Sequence, residues 1–205
     1  SFGLLLFMGR EIYLAAPPMP IALKSASGQT LYTLDDLNTG REVWQTTGGQ
    51  QLGSIWGHGS YVAPDWSADW LHREATGLLD LWAQRETGRP YASLDRPQQA
   101  ALQARLQDEI RANTYDASTG VVTVSDDRAA VIQQVAKHYD GLFGSDLEFN
   151  TLRAQYAMQE NPVPDPERRR MMTGFFWWTS WATVTQRPND TVTYTSNWPS
   201  EPLVG

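Results

Sequence analysis

Three histidines, His58, His72 and His138, are the side chains here best suited to hold a metal ion or to move a proton near neutral pH. No two of them stand at the short spacing that would put two imidazoles on one helical face, so a shared metal is not expected from them. Serines and aspartates are plentiful, yet no glycine-serine elbow between a strand and a helix presents a nucleophile. The Gly57-x-Gly59 step follows a helical segment and lacks the Lys and Ser/Thr placed for a nucleotide phosphate. Two carboxylate pairs, Asp35-Asp36 and Asp126-Asp127, fall where helices should begin, and stabilising a helix dipole is sufficient reason for them. The chain has no Cys. That removes thiol catalysis, zinc thiolates, iron–sulfur clusters and covalent haem attachment together. A formal charge of -7 also argues against a nucleic-acid partner, whose phosphates need Lys and Arg.

The elements that would position these groups are mainly helical. At 205 residues the chain can bury one good core, and nine Trp enlarge it. Ala16-Pro17-Pro18-Met19-Pro20 is a rigid connector, because proline cannot donate and holds its predecessor extended. Ser27-Gly28-Gln29, between Ile21-Ala22-Leu23 and Leu31-Tyr32-Thr33, predicts a small hairpin. Thr33 then caps a first helix with Leu37, Val43 and Trp44 on one side and Gly48-Gly49 as its stop. The stretch from Gly48 to Pro64 holds five glycines and reads as a long shaped loop. Ser67 is the expected cap of a second helix running to Arg85, with Trp70, Leu71, Leu78, Leu79 and Trp82 at helical spacing.

Asp95 and Pro97 open a third helix whose Leu102, Leu106 and Ile110 recur every four residues. Val121 to Val124 reads as a short strand, and Ser125-Asp126-Asp127 starts a fourth helix carrying Val131, Val135 and Tyr139. Ser145 or Asn150 begins a fifth. Asp165-Pro166-Glu167 opens a last helix to about Trp181. Its Phe175-Phe176-Trp177-Trp178 and Trp181 are too bulky for a water-facing helix; they fill the core or meet a partner or lipid headgroups, with core favoured. Thr191 to Thr195 alternates like an edge strand. The opening run Leu4-Leu5-Leu6-Phe7, before Gly9-Arg10-Glu11, is too short to span a bilayer. It fits either the end of a membrane helix or an ordinary N-terminal helix.

From Gly40 to Pro64 the chain resembles, without a gap, the haem-attachment region of the cytochrome c subunit of cytochrome-dependent nitric oxide reductases, G-x-x-V-W-x-x-x-x-C-x-x-C-H-x-x-x-G-x-G-x-Y-x-A-P. Gly40, Val43, Trp44, Gly57, Gly59, Tyr61, Ala63 and Pro64 fall on the pattern. The two haem-bonding Cys positions are Gly49 and Leu52, and the axial His position is Gly53. Phe175-Phe176-Trp177-Trp178-Thr179-Ser180 and Asn197-Trp198-Pro199 are similar to that subunit's closing helix and ending. The phrases from Gly49 to Gly59, Pro64-Asp65-Trp66 and Trp198 to Gly205 resemble more specifically the extramembrane domain of quinol-dependent nitric oxide reductases, in which this domain is fused to the catalytic subunit.

The resemblance implies a haem-less, cytochrome c-like helical core with a few short strands and hairpins. It implies residues 1–20 as the end of a transmembrane helix with its connector, and 21–205 as the soluble domain. The domain would not be catalytic by itself; it would cover and dock on its own membrane catalytic region on the periplasmic side, or outer face, of the membrane. There, quinol electrons would reduce two NO to N2O at haem b groups and a non-haem iron. No cofactor is expected within this segment. A calcium ion is implied at the Gly59 carbonyl and the Tyr61 hydroxyl, only with the membrane part present, and hard oxygen ligands suit it. Met158, placed like an axial Met, has no opposite ligand and reads as core filler. Trp56, Trp66 and Trp70 are the candidates to fill the porphyrin's space. The rival readings are a small-molecule or partner-protein module using the Trp-rich helix as its surface, and a hydrolase with a polar pocket around His58.

Overall fold

The computed structural model describes residues 16–57 and 62–196. Among them the architecture is mainly α: six helices enclose the core, and one four-stranded sheet closes one side. The expected hairpin is present as β1 (Ala22–Ser25) and β2 (Thr30–Thr33), turning through Gly28 at φ 90°. Helix α1 (Leu34–Thr46) starts on a reciprocal cap, in which Thr33 Oγ1 accepts from the Asp36 amide and Asp36 accepts from the Thr33 amide. Helix α2 (Trp66–Thr87) is capped by Asp65, which accepts from the Ala68 amide. Ser67, the expected cap, lies inside the helix. Asp65 can serve because Ser54 closes the preceding loop onto it, a long-range contact that sequence does not display.

Helix α3 (Arg96–Arg111) opens on an Asp95/Gln98 capping box and buries Leu102, Leu106 and Ile110. Strands β3 (Tyr115–Asp116) and β4 (Val121–Val124) follow. The sheet order is β2-β1-β4-β3, and β4 runs parallel to β1 with Ala22 opposite Val121. Ser125 caps α4 (Asp126–Phe143). A 3-10 turn, Leu147–Phe149, leads into the short α5 (Asn150–Gln155). Helix α6 (Pro166–Val184) begins on Asp165 and packs against α1, α2, α3 and α4.

Helix α6 is the spine of the core: Phe176, Trp177 and Trp181 are at most 1% exposed. It meets α1 as closely as backbones allow, for a Cβ on Gly40 would overlap the Met171 carbonyl. A Cβ on Gly174 would meet the Tyr32 ring, whose hydroxyl pairs with Thr173 Oγ1 at 2.9 Å. Thr191 to Thr195 forms no strand. Only an isolated bridge joins Gln186 to Thr193, because Asp190 and the Arg187 side chain bind the local backbone instead of a ladder. No helix of the described residues is long and apolar enough to cross a membrane. The proposed membrane run before residue 16, and Asn197-Trp198-Pro199 with the residues after it, lie outside the described residues.

Candidate functional site

The loop between α1 and α2 is the candidate site, because it carries the altered attachment pattern. Gly49 sits at φ 51° in a 3-10 turn, Gly49–Leu52, and Leu52 packs partly buried against the core. Gly53 has φ 118°, a conformation that side chains strongly disfavour. A Cβ there would overlap both the Pro64 carbonyl and the Trp66 indole. The backbone on either side is held in place: the Ser54 amide donates to the Pro64 carbonyl at 3.2 Å, and the Trp66 amide to Ser54 O at 2.9 Å.

Trp66 is fully buried. Its ring stacks on Phe176, centroids 5.8 Å apart, and meets Tyr139, Phe143 and Tyr156 edge-on at 6.0, 5.3 and 6.0 Å. Trp70 stacks on Tyr139 at 5.4 Å and donates to Glu74 at 2.8 Å. Glu74 in turn holds Arg128 at 2.6 Å in an ion pair whose side chains are 1% and 3% exposed. Tyr139 donates to Asp69 at 2.5 Å; burial, and then the Asp69 charge, push its hydroxyl well above the ordinary range. Trp66 and Trp70 are therefore core fillers. Trp56 is not: it is 36% exposed, because its own backbone at φ 54° turns it outward onto Trp178. Met158 is buried among apolar neighbours.

These residues do not fit a haem. The chain has no Cys to bond one, and an imidazole at position 53 would need the space of the Trp66 indole. The calcium pair, Gly59 and Tyr61, and His58 with its proposed polar pocket, lie outside the described residues. His138 Nε2 is buried without a hydrogen-bond partner; desolvation, helped by the Arg73 charge, pulls its pKa down to about 4. Among the described residues no group of three or more His, Asp or Glu could hold a metal. Asp36 does more than cap. Burial works to raise its pKa, but bonds from Arg170 at 2.5 Å and from Thr33 outweigh it and hold the carboxyl low. Asp126 accepts from the Ser27 amide at 2.9 Å, which ties the β1–β2 turn to α4. Asp127 binds Trp82 and Arg85.

The Phe175 to Trp181 stretch of α6 is interior, with Phe175 and Trp178 only 4% and 8% exposed, so its aromatic side chains fill the core. Sequence reasoning missed the Glu74–Arg128 pair. It also missed Arg153, which bonds the carbonyls of Gly141, Leu142, Gly144 and Asp146 at the end of α4. Single charged residues on amphipathic helices carry no mark of such pairing.

The helical core and its altered attachment loop define a cytochrome c-like domain. The family model for the cytochrome c-like domain of the nitric oxide reductase protein NorB matches residues 20–200. The chain belongs to that family. No curated protein matches it significantly.

Proposed function

We propose that this chain is the extramembrane domain of a quinol-dependent nitric oxide reductase, a part that performs no chemistry itself and docks on the membrane catalytic region of its own protein. The observation that carries the reading is the interlock of Gly53 with Trp66. A domain of a nitric oxide reductase family whose axial position is Gly53, packed against the Trp66 indole, in a chain without Cys, has no place for the haem that would relay electrons from a soluble cytochrome. Electrons must then enter by another donor, and quinol delivers them within the membrane.

On this reading the domain supplies a rigid cover. The buried aromatic cluster and the Glu74–Arg128 pair lock its interior. The Gly59 carbonyl and Tyr61 hydroxyl would lend oxygen ligands to a calcium ion when the membrane region is present, a hard cation that oxygen donors suit. The haem b groups and non-haem iron belong to that region, and the domain lies on the periplasmic side, or outer face, of the membrane. NO consumption by the full-length protein tests this. Turnover is expected with a reduced quinol as donor and not with reduced soluble cytochrome c alone; the reverse pattern overturns the reading.

A further inference from the structure

We propose that Tyr139 with Asp69 is a one-electron oxidation site, in which an oxidising equivalent arriving at Tyr156 crosses Trp66 and comes to rest as a neutral tyrosyl radical on Tyr139. The step lies outside NO reduction and holds whichever donor serves the membrane region.

The rings supply the route. Tyr156 is half-buried at the end of α5, and the Trp66 ring stands 6.0 Å from it and 6.0 Å from Tyr139, centroid to centroid. Both separations are those of rings in direct contact, across which an electron steps readily. Trp66 cannot keep the hole. Its Nε1 is buried without a hydrogen-bond partner, and an indole nitrogen only donates, so a Trp66 radical cation has no acceptor for its proton and is filled again from a neighbour.

Tyr139 has that acceptor. Its hydroxyl donates to Asp69 Oδ2 at 2.5 Å, the length of a charge-assisted bond to a carboxylate. The phenol is fully buried and desolvation keeps it un-ionised, so it must release its proton as it releases its electron. On oxidation the O–H bond breaks and the proton passes to Asp69 Oδ2. The electron leaves through Trp66 and Tyr156 to a one-electron oxidant in solvent, which is reduced, and the buried ring stays uncharged. Arg73 Nε holds Asp69 at 2.9 Å, and the Asp69 side chain is 16% exposed, which gives the proton a way to water. Trp70 stacks on Tyr139 at 5.4 Å and its Nε1 donates to Glu74. It shares the hole only in passing, because an oxidised phenol is a far stronger acid than an oxidised indole.

The test oxidises the 205-residue chain with photogenerated tris(bipyridine)ruthenium(III), freezes it, and reads the radical by electron paramagnetic resonance. A tyrosyl signal is expected that is mostly lost in Tyr139→Phe, which keeps the packed ring, and retained in Tyr115→Phe. Asp69→Asn still accepts a hydrogen bond but takes no proton, so it should lose most of the signal while circular dichroism shows a native helix content. Tyr156→Phe should slow the signal's rise. No tyrosyl signal, or one unchanged in Tyr139→Phe, overturns the site; an unchanged signal in Asp69→Asn overturns the proton acceptor, and an unchanged rise in Tyr156→Phe overturns the route.

Discussion

Two of the close backbone approaches in this domain, at Gly40 and at Gly53, differ in what the missing side chain admits. Where α1 crosses α6, Gly40 admits the main chain of Met171, so the close approach joins two helices. In the loop before α2, Gly53 admits the indole of Trp66, a side chain from the next element. The first contact builds the scaffold and is indifferent to any prosthetic group. The second lies at the position that the resemblance aligns with an axial His, Gly53. A cytochrome-like frame can therefore persist while its interior is given over to packing, because helix crossing and ring occupancy depend on different residues.

Removing the indole should cost the most. Trp66→Ala is expected to lose about 3–5 kcal/mol of stability in urea unfolding, the usual range for emptying a buried aromatic site. A loss below about 1 kcal/mol would show that the ring is not a supporting part of the core. Gly40→Val attacks the other region; overlap with a backbone carbonyl cannot be relieved by a rotamer change, and about 3 kcal/mol should be lost, read as a fall in Tm.

Gly53→Ala sharpens the comparison. It should cost about 2 kcal/mol, from the left-handed backbone and the clash with Trp66. In a Trp66→Leu background the cost should shrink by about 1 kcal/mol, whereas Gly40→Val and Trp66→Leu should combine additively. Equal coupling in both pairs would erase the distinction between the two regions.

The smallest effect concerns pH. His138 has a folded pKa of about 4 against an ordinary 6.5, so between those values the unfolded chain binds the extra proton. Its contribution is complete above pH 6.5 and is lost as pH falls toward 4. With solvent screening of a half-buried ring, the loss is about 1 kcal/mol. His138→Phe should flatten this slope in denaturation measured at several pH values.

Much of this fold was legible because its helix starts are written locally. Thr33 with Asp36, Asp95 with Gln98, Ser125 and Asp165 each cap a helix within three residues, and the four-residue spacing of Leu102, Leu106 and Ile110 marks a buried face. The Gly53 substitution was equally visible, as a departure from a spaced pattern. What stayed hidden was long-range. The parallel pairing of β1 with β4 joins residues far apart in the chain, Ala22 with Val121, and the Asp65 cap depends on Ser54 closing the loop. The outward turn of Trp56 follows from one positive φ that nothing in its neighbours announces. Alternation from Thr191 to Thr195 was a false signal, since a strand needs a free ladder partner and the local side chains took those bonds.

Haem titration of the purified chain tests most directly whether the interior is filled. Adding haem to the chain and recording the absorption spectrum should give no stoichiometric Soret band and no rise in Tm. Saturation at one haem per chain, with a shifted Soret band that survives gel filtration, would contradict the account.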